Sequence, residues 1–166
     1  MSETNEVGAP AGPPADGCES ASRTWDIEWI LSVLPHRYPL LLVDRVLEME
    51  PLKRVVAIKN VTFNEPFFNG HFPGRPVLPG VLLIEGMAQA GGLLLLQHVP
   101  DRSKKLLYFA GIDGAKFRRP VVPGDQVRYE VEVLRFRSVH CKLSGKVTVD
   151  GKVCAEATIH SAMVDR

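Results

Sequence analysis

GVLLIEGMAQAGGLLLLQH, residues 80–98, is a long apolar segment whose hydrophobic residues occupy nearly every side of a helix. A helix of this kind has to be surrounded by protein rather than laid on a surface. Stretches typical of antiparallel strands precede and follow it. The segment therefore predicts an α+β fold in which a curled antiparallel sheet wraps a long central helix.

Glycines interrupt this helix at positions where alanine would be more favourable by about 1 kcal/mol each. They are Gly86, Gly91 and Gly92. We expect another part of the molecule to approach the helix closely at these positions.

Glu85 is the only charged residue between Arg75 and Asp101. At helical spacing it shares a face with small residues and one amide. These are Ala88, Gln89 and Gly92. The face has room for a ligand or for another chain, and burial is expected to raise the pKa of the Glu85 carboxyl.

The strands are predicted from alternating and β-branched segments. Their ranges are 40–49, 53–62, about 106–117, 127–133, 143–149 and 152–164, which gives a sheet of at least six strands. Asp150-Gly151 is predicted to be a two-residue hairpin turn. A short helix precedes them, capped by Thr24 or Asp26 and stopped by Pro35.

Composition separates the first 24 residues from the rest. Thirteen of them are Gly, Ala, Pro or Ser and their net charge is −3, so residues 1–24 are predicted to be a disordered tail. Residues 25–166 are expected to form a single domain. The whole chain of 166 residues is 45% hydrophobic and carries a net charge of +1.

Several classes of function are disfavoured. The chain lacks the excess of Lys and Arg that is typical of nucleic-acid-binding proteins. Its first residues lack the basic segment and apolar run of a signal peptide, and it contains no apolar stretch of about 20 residues that could span a membrane. The three cysteines at 18, 141 and 154 have neither disulfide-framework nor zinc-site spacing. A cytoplasmic location is the prediction.

The segment from Phe63 to Pro79 contains four prolines and four phenylalanines and presents His71. A loop of this length and composition is expected to be rigid and functional. It leads into the amino end of the central helix, whose amide groups suit an oxygen that becomes negative during a reaction. A neutral histidine, a buried carboxyl group and such a helix end together serve proton abstraction next to a carbonyl, with no metal or other cofactor.

Four motifs in order now resemble a known family. HFPGRPVLPGVLLIEGMAQ (71–89) is similar to the signature of bacterial (3R)-hydroxyacyl-[acyl-carrier-protein] dehydratases, which have the hot-dog fold. LPHRYPLLLVDRV (34–46), NEPFFNGHFPG (64–74) and YFAGIDGAKFRRPVVPGD (108–125) resemble the same family, so the match covers about residues 26–164.

The resemblance implies a (3R)-hydroxyacyl thioester dehydrated to a trans-2-enoyl product. His71 would be the base at C2, Glu85 the acid at the C3 hydroxyl, and the Gly80 amide the donor to the thioester carbonyl. The partner would be an acyl carrier protein bearing the substrate. The resemblance also implies a homodimer, often assembled as a trimer of dimers, with His71 and Glu85 contributed by opposite subunits. The sequence alone is equally compatible with a site formed by a loop that folds back within one chain.

Roles are also predicted for residues around this catalytic pair. Phe72 is predicted to line the acyl tunnel. Gln89 is expected either to orient Glu85 or simply to pack against its neighbours. The basic residues Lys116, Arg118 and Arg119 are expected either to be solvated or to dock the acidic carrier protein. Gly86 stands where the family leads us to expect alanine, and the change is expected to loosen the helix. The remaining histidines, His36, His98, His140 and His160, are interpreted as surface or structural residues.

Three alternatives stay open. A sister dehydratase that also isomerises the double bond carries Asp at the acid position, so Glu85 disfavours it. A hot-dog thioesterase would release a free thiol. A non-enzymatic acyl-thioester sensor that regulates transcription would need a DNA-binding domain, which the tail and one short helix cannot supply.

Overall fold

The structure, a computed structural model, describes residues 25–166, so the tail predicted for residues 1–24 and the candidate cap Thr24 lie outside the described residues. The helices are α1 (Ile27–Val33) and α2 (Gly80–Leu96), with 3₁₀ turns at Pro66–Asn69 and Arg102–Lys104. The strands are β1 (Arg45–Glu50), β2 (Arg54–Asn60), β3 (Lys105–Phe117), β4 (Gln126–Arg137), β5 (His140–Val149) and β6 (Lys152–Asp165).

All six strands form one sheet in the order β1-β2-β4-β5-β6-β3. Every pairing is antiparallel. Helix α2 packs against β2, β4, β5 and β6, and twelve of its seventeen residues are buried. The predicted α+β arrangement of a central helix and an antiparallel sheet of six strands is confirmed.

The helix glycines are the points where α2 meets large side chains of the sheet. A Cβ added at Gly86 would lie 2.2 Å from Oη of Tyr129, and one at Gly91 would lie 2.4 Å from Cδ1 of Leu143. Close approach is therefore confirmed at both positions. The buried Tyr129 ring occupies the space that an alanine at position 86 would need, so packing requires glycine there, and the loosening of the helix by Gly86 stays a prediction.

The short helix and the last hairpin turn, both predicted from local sequence, are also confirmed. Asp26 caps α1, since its Oδ1 accepts a hydrogen bond of 3.0 Å from the amide of Trp29. Asp150 and Gly151 have φ values of 50° and 72°, as a two-residue turn with two left-handed residues requires.

The first strand begins at Arg45, and the prediction that it begins at residue 40 is wrong. The Gln89 side chain takes the place of a neighbouring strand there. Its Nε2 donates to the carbonyl of Leu40 at 2.7 Å, and its Oε1 accepts from the amide of Leu42 at 2.8 Å. This segment is thereby tied to α2 instead of to the sheet.

Strand β3 is an edge of the sheet and pairs only with β6 among the described strands. Nearly all of its residues from Tyr108 onward are exposed, including aromatic and branched side chains. The large ones are Tyr108, Phe109, Ile112 and Phe117. An edge with apolar groups on it is typical of a surface that another chain covers.

No helix in the described part of the chain is long and apolar enough to cross a membrane.

Candidate active site

His71 lies at the end of the 3₁₀ turn and is held by backbone hydrogen bonds on both sides. Its amide donates to the carbonyl of Phe67 at 2.9 Å, and its carbonyl accepts from the amide of Val77 at 3.0 Å. The ring nitrogen Nδ1 lies 2.7 Å from the Val77 carbonyl oxygen. A carbonyl only accepts, so Nδ1 carries a proton, and Nε2 of the neutral ring is left with a free lone pair.

The turn that carries His71 is anchored by a buried ion pair. Glu65, the residue that caps the turn, lies 2.6 Å from Nζ of Lys59 on β2. The exposed fractions of the two side chains are only 11% and 6%. Removing one partner of such a buried pair strongly destabilises a fold. The pair therefore fixes the turn against the sheet.

Gly80 and His71 share one cavity. The cavity has a volume of about 420 Å³ and is lined by both residues and by the end of β3 at Phe117. A Cβ at Gly80 would lie 2.9 Å from the Phe117 ring, which is why glycine suits this position. The amide of Leu82 donates to the Pro79 carbonyl at 2.9 Å, whereas the amides of Gly80 and Val81 have no partner within the helix and can donate to an oxygen in this cavity.

Glu85 lines a different cavity, of about 400 Å³, together with Ala88, Gln89 and Gly92. The face of α2 identified from helical spacing therefore borders an open space. Gln89 donates from Nε2 to Oε1 of Glu85 at 2.9 Å. Gln89 also forms hydrogen bonds with the backbone of residues 40 and 42. It therefore fixes that segment against α2 and orients the Glu85 carboxylate as well.

His36 is the site residue that sequence reasoning missed. Its Nε2 lies 3.4 Å from Oε1 of Glu85, and it lines the same cavity. Its other ring nitrogen, Nδ1, is buried and has no hydrogen-bond partner among the described residues. The signal that could have identified His36 is its position in the motif LPHRYP, which the family resemblance covers. Helical spacing could not reveal its contact with Glu85, because the two residues lie far apart in sequence.

The pKa of the Glu85 carboxyl is lowered in the single chain, contrary to the expectation of a raised value. Burial is the largest influence and raises the pKa. The hydrogen bonds from His36 and Gln89 act in the opposite direction and outweigh it. The expectation considered burial alone and could not foresee two donors on one carboxylate oxygen.

His71 and Glu85 do not line a common cavity within one chain. The Glu85 cavity is bordered by the first half of β3, from Leu106 to Phe109, whereas the His71 cavity is bordered by the end of that strand and by Arg118 and Arg119. The two groups thus lie toward opposite ends of the same edge strand.

The other predicted residues lie next to His71 or near the end of β3. Phe72 is 54% exposed and lines neither the His71 cavity nor the Glu85 cavity; its ring stacks on the His71 imidazole, with ring centroids 4.0 Å apart. Lys116 and Arg118 both lie near Glu156, at 3.8 and 2.5 Å, so part of their charge is neutralised. Within residues 25–166 no group of three or more His, Cys, Asp or Glu side chains could hold a metal ion.

Residues 34–158 match the FabA-like domain family. The chain is 56% identical over 146 residues to the 3-hydroxyacyl-[acyl-carrier-protein] dehydratase FabZ of Koribacter versatilis, which covers 88% of this chain and 94% of that protein. It is 57% identical over 143 residues to the FabZ of Variovorax paradoxus, covering 84% and 95%.

Solved structures show the fold. The dehydratase heterocomplex ApeI:P from Xenorhabdus doucetiae superposes with a TM-score of 0.72 at 22% identity, covering 82% of this chain and 91% of that one. A hot-dog-like protein from Thermanaerovibrio acidaminovorans gives 0.57 at 18% identity, covering 70% and 84%. The architecture is the hot-dog fold, and with the sequence relatives it leads to one conclusion: the chain belongs to the FabZ-type 3-hydroxyacyl-[acyl-carrier-protein] dehydratases, within the FabA-like domain family.

Proposed function

We propose that this protein dehydrates (3R)-hydroxyacyl-[acyl-carrier-protein] to trans-2-enoyl-[acyl-carrier-protein] and water in fatty acid biosynthesis. The observation that carries the proposal is the hydrogen bond from His71 Nδ1 to the Val77 carbonyl, in the cavity that Gly80 also lines. It leaves Nε2 as a base beside amides that can stabilise an enolate oxygen.

The reaction needs one base and one acid. His71 Nε2 takes the C2 proton, the amide of Gly80 donates to the thioester carbonyl as its oxygen becomes negative, and Glu85 gives a proton to the departing C3 hydroxyl, which leaves as water. The proton on His71 and the one lost by Glu85 are then exchanged with solvent. No redox change occurs, and the chemistry requires no cofactor.

The acid and the base meet when two chains pair through β3. The midpoint of this strand is near Gly111. Antiparallel pairing of two β3 edges about a two-fold axis there would set the start of one strand beside the end of the other. The Glu85 cavity of one protomer would then face the His71 cavity of its partner, so each dimer would hold two shared sites.

Pairing also bears on the charge of Glu85. A partner chain and a bound acyl chain would remove water from the Glu85 cavity, and desolvation favours the protonated carboxyl. The acid form is therefore promoted in the assembled, substrate-bound site, whereas the open single chain favours the carboxylate.

Substrate delivery is assigned to the rim of the His71 cavity. Arg118 and Arg119 line it and Lys116 lies on the strand that leads to it. A basic rim suits an acidic carrier protein. Phe72, on the His71 ring, would form one wall for the acyl chain. The free thiols of Cys141 and Cys154 support the cytoplasmic location.

The test is to incubate the purified protein with 3-hydroxyacyl carrier proteins of short and long chain length and to follow the acyl carrier by mass spectrometry. Loss of one water is expected. Release of free carrier thiol instead would favour a thioesterase. No change at any chain length would leave a non-enzymatic acyl-thioester sensor as the better explanation.

A further inference from the structure

The contacts of Glu85 are distributed unequally between its two oxygens. Nε2 of Gln89 and Nε2 of His36 both approach Oε1, at 2.9 and 3.4 Å. None of the hydrogen bonds or ion pairs found among residues 25–166 involves Oε2. The side chain is 20% exposed and lines the cavity, so Oε2 is the oxygen available to a ligand.

The ring of His36 has one arrangement of protons that fits these contacts. Nδ1 is buried without a partner, so a proton there would be a buried and unsatisfied donor. Oε1 of Glu85 can only accept, so the neutral ring carries its proton on Nε2, which faces Oε1, and Nδ1 is left as an unprotonated acceptor. The distance of 3.4 Å lies just beyond the usual range of about 2.7–3.2 Å for N–H···O hydrogen bonds, and contacts between catalytic groups commonly shorten when the reacting complex is assembled.

We propose that His36 is a positioning residue for Glu85: its Nε2–H and the Gln89 amide hold Oε1 as the accepting oxygen, so that the transferable proton resides on Oε2, facing the substrate. The inference rests on the proposed dehydratase function and extends it to a residue outside the acid and base pair. Two donors on one oxygen make that oxygen the poorer site for a proton. The carboxyl is thereby held in one orientation before the substrate arrives.

Few other charges compete for the Glu85 carboxyl. Tyr108 on β3 is the remaining titratable side chain lining this cavity. Arg37, next to His36, donates to the carbonyls of Leu31, Leu34 and His36 itself and so points away. In the proposed dimer the partner's His71 would face the cavity as well.

The test compares two amides at position 36. His36→Gln places an amide nitrogen near the position of Nε2 and keeps the donor to Oε1, whereas His36→Asn places it near Nδ1, out of reach of Glu85. His140→Asn, at an exposed histidine on β5, is the control. With ¹³C-labelled glutamate, the Glu85 carboxyl is assigned by the loss of its NMR signal in Glu85→Gln and is titrated in each variant.

A donor stabilises the carboxylate, so Glu85 should titrate at a higher pH in His36→Asn and near the wild-type pH in His36→Gln. We expect kcat of His36→Asn to fall about tenfold or more, with KM for the acyl carrier substrate changed by less than about threefold and the melting temperature retained. Equal titration of Glu85 in the wild type and both His36 variants would overturn the proposal. Inactivity of the wild type would overturn the dehydratase function instead, and the titration would still decide the role of His36.

Discussion

Val77 determines which nitrogen of His71 is free to act, because its carbonyl oxygen lies 2.7 Å from Nδ1. The contact comes from the same tight loop in which the amide of Val77 donates to the His71 carbonyl. Backbone groups do not change with side-chain substitution, so the tautomer of His71 is secured by the shape of the loop.

Removing either proton-transfer group should abolish most of the turnover. His71→Ala and Glu85→Gln should each lower kcat by about 10² or more with the fold retained, because each change removes a proton acceptor or donor and little packing volume. Steady-state kinetics and circular dichroism measure the two effects. His98→Ala, at an exposed position beyond α2, is the matched control and should keep full activity. Full activity in Glu85→Gln would assign Glu85 a structural role.

Mixed dimers should recover activity if the site is shared. Co-expression of His71→Ala with Glu85→Gln makes about half the dimers mixed, and each mixed dimer has one site with both groups intact, so about one quarter of all sites should work. Differently tagged subunits allow the mixed species to be purified. If purified mixed dimers were as inactive as the two parents, each site would belong to a single chain.

Gly86→Ala should destabilise the protein by about 1–3 kcal/mol, because the new methyl group would overlap the buried ring of Tyr129. Thermal unfolding measures the change. Gly92→Ala in the same helix is the control, since its Cβ would meet neighbours no closer than 3.4 Å and the helix should gain up to about 1 kcal/mol. Equal melting temperatures for the two variants would contradict the overlap.

Lys59→Met should cost about 3 kcal/mol of unfolding free energy, because it leaves the Glu65 carboxylate buried without its partner. Lys146→Met removes an exposed partner of Glu130 and should change the unfolding free energy by less than about 1 kcal/mol. Since Glu65 caps the turn that leads to His71, Lys59→Met should also lower kcat at temperatures where it remains folded. A variant as stable as the wild type would show that the pair contributes nothing net.

Reversing charge beside the His71 cavity should weaken binding of the carrier protein. Arg119→Glu should raise KM for carrier-bound substrate about tenfold and leave KM for a small thioester unchanged, because only the carrier presents an acidic surface. Arg137→Glu, on β4 and away from this cavity, is the control. Raised salt should reduce the difference between wild type and Arg119→Glu. An identical rise in KM for both substrates would place Arg119 in contact with the thioester itself.

Local patterns predicted the elements well where the local sequence determines them. The apolar run predicted α2, Asp26 predicted the start of α1, and Asp150-Gly151 predicted the last turn. The predicted start of β1 was wrong because Gln89, far away in sequence, forms hydrogen bonds with the backbone of residues 40 and 42. His36 was missed, and the pKa of Glu85 was predicted in the wrong direction, for the same reason: the contact between them exists only after α2 and the segment before β1 have packed together.

The open edge of β3 has a consequence for the newly made chain. Thirteen residues of strand without a proline present unpaired backbone groups and exposed aromatic rings to the surroundings. Such an edge can add a strand of any unfolded polypeptide, and so it is a site where aggregation can start. Its irregular register at Phe109–Gly111 and Asp113–Lys116 bends the strand and restricts which strands can add to it. If two chains pair through β3 as proposed, a protomer at low protein concentration is open to misassembly until it meets its partner.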